Sequence, residues 1–299
     1  MRSIWPALAI LLVVASACAQ QNGGSTTGGT TVLATTTVLA DITRNVAGDR
    51  LVVETLLPPG TDPHSFEPTP ADVVKISESA VLIMNGGGYE GFLARVLENT
   101  ERSGMVIEAS SGLPIFEAGD GGGAPDPHLW LDPRNVIEYI HNIEAGLSRA
   151  YPDSADVFAA NATAYIDRLQ KLDTWIQEQV FIIPPERRLL VTNHETLHYF
   201  ADRYGFQVVA TALRSVSSDA AVSAGELGEV VDEIRASRAP AIFLDEIEDS
   251  RLAAQISEET GVTIVDDLHL ESLTAGPPAA TYLDMMRHNV SRIVDALVQ

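Results

Sequence analysis

The sequence predicts an α/β protein made of two doubly wound lobes, each with a parallel sheet, joined by one long helix. From residue 31 onward, β-branched or apolar runs alternate with segments of helical periodicity, and this alternation indicates βαβ units with parallel strands. The run at 80–85 is continuously apolar, as expected for a strand covered on both faces. One long helical pattern at 153–180 interrupts the alternation, which restarts at 188.

The first half of the chain contains the first set of alternating elements. Strands are expected at 31–36, 51–57, 80–85 and 105–108, and helices at 38–47, 89–99 and 133–150. Thr69 is expected to cap a further helix, because Pro70 suits a first helical turn and Asp72 would lie near the positive end of the helix dipole.

The second half repeats this organisation. Strands are expected at 188–192, 207–210, 241–244 and 262–265, and helices at 226–238, 252–260 and 279–298. Asn193 is expected to cap another helix, which would carry His194. The patterns divide the folded part of the chain into an N-terminal lobe at 31–152, a linking helix at 153–183 and a C-terminal lobe at 184–299.

The first residues are typical of an export signal. Arg2 precedes an apolar stretch at 4–14 that is short for a membrane span. Small residues at 15–17 then lead to Cys18, the only cysteine in the chain. This arrangement resembles a bacterial lipoprotein signal, so 1–18 is expected to be the signal peptide, with Cys18 as the lipidated residue. An ordinary cleaved signal with an incidental cysteine is the alternative.

The remaining composition limits the class of protein and its partners. The Gly-, Ser- and Thr-rich stretch at 19–30 is expected to be a flexible tether, so the folded part would stand on the outer face of the cytoplasmic membrane, in a periplasm or on an open cell surface. An apolar fraction of 45% is typical of a globular protein. A net charge of -22 argues against nucleic acid as a partner.

A tripeptide that occurs twice is the strongest chemical signal. Asp62-Pro63-His64 and Asp126-Pro127-His128 each place a histidine directly after a proline, whose φ is fixed at about -65°. The residue before the proline is pushed to an extended conformation. An imidazole held in this way by its own main chain suits metal ligation, and loop histidines that make only local hydrogen bonds are the alternative.

His194 supplies a third imidazole after the apolar run 189–192. His64, His128 and His194 all follow predicted strands and come from both halves. Because ligands of open parallel sheets lie outside the carboxyl ends of the strands, we expect a metal site in the cleft between the lobes. Three imidazoles suggest a borderline metal such as zinc.

A fourth ligand is expected to be a carboxylate from the second half. The residues alone leave several candidates at strand exits: Asp245, Glu246, Asp266, Asp267 and Glu271. Among the other histidines, His269 remains a candidate ligand, whereas His141 and His288 lie in helical patterns and are expected to be surface or packing residues.

The segment His194-Glu195-Thr196-Leu197-His198 matches the H-E-x-x-H signature of zinc proteases. That motif needs helical residues before its first histidine, whereas here a predicted strand has just ended. A peptidase would also leave both Asp-Pro-His loops unexplained. A zinc metallopeptidase is therefore the remote alternative, and His198 is expected to be a helix residue near the cleft.

Taken together, these motifs resemble the metal-binding lipoproteins of bacterial ABC importers for zinc and manganese, the cluster A-I solute-binding proteins. The resemblance covers nearly all of the mature chain. It is carried by 58–70, by 126–133, by Asn193-His194, and by Tyr199-Phe200-Ala201 with Tyr204-Gly205. It implies two α/β lobes joined by a long helix, one metal ion between them, and no enzymatic activity.

The resemblance also implies a ligand set. The first three ligands would be His64, His128 and His194. The fourth would be Glu271, since Glu271-Ser272-Leu273 stands where the family often has Asp-Ser-Leu, with glutamate as a departure from that pattern. Glu246 matches a recurrent acidic position that we interpret as structural or as a partner of a ligand. Asp132 is a candidate to hold the outer nitrogen of one imidazole.

The implied function is capture of one Zn²⁺ or Mn²⁺ ion by a monomer, followed by delivery to an ABC permease in the membrane. Three imidazoles and one carboxylate favour zinc, whereas a bidentate Glu271 would partly meet the preference of manganese for oxygen. Family zinc carriers often have a His-rich loop between the first two ligands, and the stretch 116–125 contains no histidine. A surface adhesin with a structural metal is the alternative function.

Overall fold

The computed structural model describes residues 31–100, 102–117, 124–213 and 223–298. The predicted signal peptide 1–18, including Cys18, and the predicted tether 19–30 therefore lie outside the described residues. Within the described part of the chain, we find no helix with the length and apolar character needed to cross a bilayer.

Strands and helices alternate along the chain as predicted. The strands are β1 (Thr31–Ala34), β2 (Val52–Thr55), β3 (Val81–Met84), β4 (Met105–Glu108), β5 (Leu189–Thr192), β6 (Gln207–Thr211), β7 (Ala241–Asp245) and β8 (Thr263–Leu268). The helices are α1 (Thr37–Ala47), α2 (Pro70–Glu78), α3 (Gly91–Asn99), α4 (Pro133–Ala150), α5 (Ala155–Phe181), α6 (His198–Tyr204), α7 (Ala224–Ser237), α8 (Arg251–Thr260) and α9 (Tyr282–Val298).

Each half of the chain forms its own parallel sheet of four strands. The order is β2-β1-β3-β4 in the first sheet and β6-β5-β7-β8 in the second, and every neighbouring pair is parallel. The predicted fold class of two doubly wound lobes is confirmed. In both sheets the carboxyl ends of the strands form one edge, which is where such folds bind ligands.

The long helix α5 lies against a core that both sheets share. It has 27 residues, which corresponds to roughly 40 Å at 1.5 Å per residue. One continuous core joins its buried face to Ile83 of β3 and Phe243 of β7. Separate apolar clusters fill the space under α2 and α3 on the first sheet and under α7 and α8 on the second. The buried α5 residues in the shared core include Phe158, Tyr165, Leu169, Leu172 and Ile176.

The helix caps show where local signals succeed and fail. Thr69 and Asp72 form the expected capping box of α2. The predicted helix carrying His194 was wrong, because α6 begins only at His198 and a turn precedes it, in which the Thr196 N–H donates to the His194 carbonyl at 2.9 Å. Within the described ranges, the buried side-chain oxygen of Asn193 has no hydrogen-bond partner, so it caps no helix there.

Because the shared core spans both sheets and α5, truncating a buried α5 residue should destabilise both halves together. We expect Leu169→Ala to lower the free energy of unfolding by about 2–5 kcal/mol, with a single transition in urea monitored by circular dichroism. The exposed neighbour Gln170 provides the control, since Gln170→Ala should change stability by no more than about 0.5 kcal/mol. Two separate transitions, only one of them shifted, would contradict a shared core.

Candidate metal centre

The four residues predicted as ligands lie on four different loops, each of which follows a strand. His64 lies between β2 and α2, and His128 lies between β4 and the helical turn before α4. His194 follows β5, and Glu271 follows β8. Each sheet thus contributes two of these residues from the carboxyl ends of its strands, so both sheets face the same cleft.

Both Asp-Pro-His tripeptides fold into the same turn. Asp62 accepts a hydrogen bond from the backbone N–H of His64 at 2.8 Å, and Asp126 accepts one from the backbone N–H of His128 at 3.0 Å. An aspartate bonded to the main chain two residues on forms an Asx turn, and the intervening proline restricts the backbone further. The repeated tripeptide is therefore a repeated local device that orients an imidazole.

The donor atoms of the four residues converge on one point. They all lie within 4.8 Å of one another. Glu271 Oε1 is 3.0 Å from His128 Nε2, 3.5 Å from His194 Nε2 and 3.8 Å from His64 Nε2. A zinc ion takes nitrogen and oxygen ligands at about 2.0–2.2 Å, so small side-chain adjustments would bring all four atoms onto one ion.

The cluster is almost completely removed from solvent. The side chain of His64 is 7% exposed, whereas those of His128, His194 and Glu271 are at most 1% exposed. His194 Nε2 and Glu271 Oε1 face the centre and have no hydrogen-bond partner among the described residues. Since buried polar atoms in folded proteins are nearly always satisfied, these two atoms indicate a ligand at the centre.

Carboxylates hold the outer nitrogens of two imidazoles. His128 Nδ1 lies 2.7 Å from Asp126 Oδ1, and His194 Nδ1 pairs with Glu248 Oε1. Carboxylate partners of this kind fix the tautomer of an imidazole that binds metal through its other nitrogen. The prediction that Asp132 plays this part was wrong, because Asp132 instead caps α4 as the residue directly before its first turn.

Glu271 is positioned by groups from both halves of the chain. The Tyr89 hydroxyl donates to Glu271 Oε2. The Asp245 carboxylate accepts the backbone N–H groups of Leu270 and Glu271, and the Trp130 indole N–H donates to the Leu270 carbonyl at 2.8 Å. The carboxylate therefore enters the cleft in a defined orientation, with Oε1 toward the imidazoles.

The electrostatics of the cluster favour positive charge at its centre. Burial opposes ionisation of His128, but the Glu271 and Asp126 carboxylates outweigh it and raise the pKa of His128 to about 9. Burial also opposes ionisation of His194, but the Glu248 and Glu271 carboxylates outweigh it and raise the pKa of His194 to about 10. Burial would raise the pKa of Glu271, yet the neighbouring imidazoles hold it well below its usual range. Protons and a metal ion compete for such a site.

The other carboxylates considered for the fourth position lie outside the cluster. Asp266 is exposed on β8. Glu246 Oε1 lies 3.0 Å from His269 Nδ1, which pairs these two residues with each other. Asp267 accepts a hydrogen bond from the Arg292 guanidinium at 2.8 Å. Of the five acidic candidates, only Glu271 is brought to the three histidines.

The remaining histidines do not extend the site. His198 Nδ1 lies 3.2 Å from Asp126 Oδ2, so His198 contacts the partner of His128 rather than the centre. His194 precedes α6 and His198 begins it, so they do not occupy one helix face as a protease H-E-x-x-H motif requires. His141 is exposed on α4, and His288 donates to the Asp267 carbonyl at 2.8 Å.

Sequence reasoning missed three residues that orient the ligands. Asp126 had a usable signal, because an aspartate precedes both loop histidines by two positions. Glu248 lies in the acidic run 245–249, in which nothing distinguishes it from its neighbours. Tyr89 is predicted to begin a helix, whereas it lies in the preceding loop, since α3 begins at Gly91 after its N-cap Glu90.

Comparison with known proteins places the whole folded chain in one family. The model of the family described as "ZnuA: Zinc-uptake complex component A periplasmic" matches residues 32–296. The "Manganese-binding lipoprotein MntA" of Halalkalibacterium halodurans is 35% identical over 263 residues, which cover 88% of this chain and 86% of that protein. The "Iron-binding protein YfeA" of Yersinia pestis is 32% identical over 265 residues, covering 88% of this chain and 84% of that protein.

A solved structure agrees with this assignment. The periplasmic zinc-binding protein TroA from Treponema pallidum superposes with a TM-score of 0.84 at 27% sequence identity, covering 91% of this chain and 100% of that chain. The likeness therefore extends over both sheets and the helix between them. The chain belongs to the ZnuA family, the substrate-binding proteins of metal ABC transporters.

Proposed function

We propose that this protein captures one divalent transition-metal ion between its lobes and delivers it to the permease of an ABC importer. The ligands in this proposal are His64, His128, His194 and Glu271. The observation that carries the proposal is the convergence of four buried donor atoms, two of which have no other partner among the described residues. The protein acts by binding and release and performs no catalysis.

Zinc is the preferred ion in this proposal, and manganese is the next. Three imidazole nitrogens and one carboxylate oxygen match the tetrahedral donor sets that zinc takes in proteins. Manganese prefers more oxygen donors and a higher coordination number. Relatives are named for manganese, iron and zinc, and the donor set of this chain favours zinc among them.

The proposal includes a membrane anchor and a division into lobes. Residues 1–18 would be the lipoprotein signal peptide, Cys18 the lipidated residue and 19–30 the tether. Relatives that carry the name lipoprotein support this part. The lobes would comprise 31–152 and 184–299, joined by a linking helix at 153–183, and a monomer would act on the outer face of the cytoplasmic membrane.

The first prediction from this proposal concerns the stoichiometry of metal binding. We expect the purified protein to hold one equivalent of zinc by elemental analysis, and zinc to displace manganese in competitive titration. His64→Ala should weaken zinc binding by at least about a hundredfold, since losing a ligand should cost no less than losing one of its outer partners.

The matched control for this experiment is His141→Ala, which removes an exposed histidine of α4. This variant should keep full stoichiometry and affinity. Absence of stoichiometric metal from the unaltered protein, under either titration, would refute the proposal.

The second prediction concerns the carboxylate behind His194. Glu248→Gln should weaken zinc binding about 10- to 100-fold, because the imidazole loses the charged partner that orients it. Glu246→Gln is the control, since the neighbouring carboxylate pairs with His269 outside the cluster. Isothermal titration with a competing chelator would measure both. Equal losses in the two variants would mean that Glu248 has no specific part in binding.

The third prediction separates transport from adhesion. Cells whose only copy of this protein carries both His128→Ala and His194→Ala should take up zinc at the background rate of cells that lack the protein. Cells carrying His141→Ala should take up zinc normally. Undiminished uptake in the double variant, measured with radioactive zinc, would contradict delivery to a permease and leave adhesion as the function.

A further inference from the structure

We propose that Tyr89 sets the metal preference of the site by occupying one oxygen of Glu271, so that the carboxylate offers a single donor to the ion. This inference rests on the proposed function and adds to it a specificity-determining residue that does not contact the metal. It follows from the different surroundings of the two carboxylate oxygens.

The two oxygens of Glu271 have separate roles. Oε1 faces the three imidazoles and has no hydrogen-bond partner among the described residues. Oε2 accepts the hydrogen bond of the Tyr89 hydroxyl. A neutral phenol can only donate to a carboxylate, so a metal ion that approached the Oε2 lone pair used by Tyr89 would have to displace this bond.

That displacement is unfavourable because the Tyr89 hydroxyl would lose the acceptor of its hydrogen bond. Tyr89 is only 3% exposed, so no solvent can replace Glu271 as the acceptor. A buried donor that loses its partner bears the full cost of its desolvation. Oε1 is therefore the favoured donor of the carboxylate toward the ion.

The tyrosine ring is itself held on several sides. Its centroid lies 4.8 Å from the Trp130 ring and 5.3 Å from the His64 ring. The loop behind it is fixed by Glu90, which accepts hydrogen bonds from the backbone of Asn85 at 2.6 Å and from the Thr35 hydroxyl at 2.7 Å. A support of this rigidity keeps the hydroxyl at Oε2 as the site binds its ion.

With one oxygen from Glu271, the cluster supplies four donors: three nitrogens and Oε1. Four donors complete the tetrahedral shell of zinc, but they fall short of the oxygen-rich, higher coordination that manganese favours. Removal of the tyrosine hydroxyl would free Oε2 and let the carboxylate bind through both oxygens. The preference of the site should then move toward manganese.

The test is Tyr89→Phe, with zinc and manganese affinities measured separately by chelator competition on the intact protein. We expect the ratio of zinc to manganese association constants to fall about tenfold or more, which is the scale of effects produced by partners of metal ligands. Tyr204→Phe is the control, because it removes another buried hydroxyl that donates to a carboxylate, Asp173 at 2.9 Å, away from the ligands. In Tyr204→Phe, the ratio of zinc to manganese association constants should equal that of the unaltered protein.

Coordination geometry gives a second measurement that needs no variant. X-ray absorption and a crystal structure of the zinc-loaded protein should show four donors to the ion. One Glu271 oxygen should bind the ion, and the Tyr89 hydroxyl should remain hydrogen-bonded to the other Glu271 oxygen. Binding of zinc by both Glu271 oxygens would overturn the role of Tyr89. An unchanged or equally weakened affinity for both ions in Tyr89→Phe would also overturn it, and either outcome would leave the proposed function intact. An unaltered protein that binds neither ion would overturn the proposed function and this inference together.

Discussion

The burial of three imidazoles and a carboxylate at one point is the constraint on which the rest of the structure depends. Each group gives up its water, and this loss is tolerable only when other partners satisfy its polar atoms. Asp126, Glu248 and Tyr89 satisfy the outer atoms of three of the four side chains. In these three side chains the atoms that face the centre are left for a ligand, so the packing around the cluster defines where an ion can bind.

The same constraint explains why the two halves are tied together at the cleft as well as through α5. Besides the Tyr89 hydroxyl on Glu271, several bonds tie the segment that carries Glu271 to the first half, among them Trp130 to Leu270 at 2.8 Å, Gly60 to Ser272 at 3.0 Å, and Thr37 to Leu273 at 2.8 Å. In the opposite direction, the Tyr199 hydroxyl donates to the Asp126 carbonyl at 3.0 Å. A rotation that opened the cleft would break these bonds together, so the geometry of the donors is a property of the joined halves.

Much of this architecture could be predicted from the sequence because it arises from local patterns. Apolar runs and helical periodicity located both sheets, and the repeated Asp-Pro-His turn located two imidazoles through backbone chemistry alone. The helix predicted at Asn193 failed because a cap signal carries no information about the contact of His194 with Glu248, which lies in the loop after β7 of the same sheet.

The partners of the ligands were harder to predict for the same reason. Asp132 has the composition of a partner for an imidazole, but its place before Pro133 commits it to capping α4. Tyr89 follows a run of glycines whose positive φ values, 87° at Gly86, 62° at Gly87 and 86° at Gly88, turn the chain toward the cleft. In the fold these glycines deliver the Tyr89 hydroxyl to Glu271. Residue types thus indicate a metal site, while the contacts that orient its ligands are tertiary and appear in no local pattern.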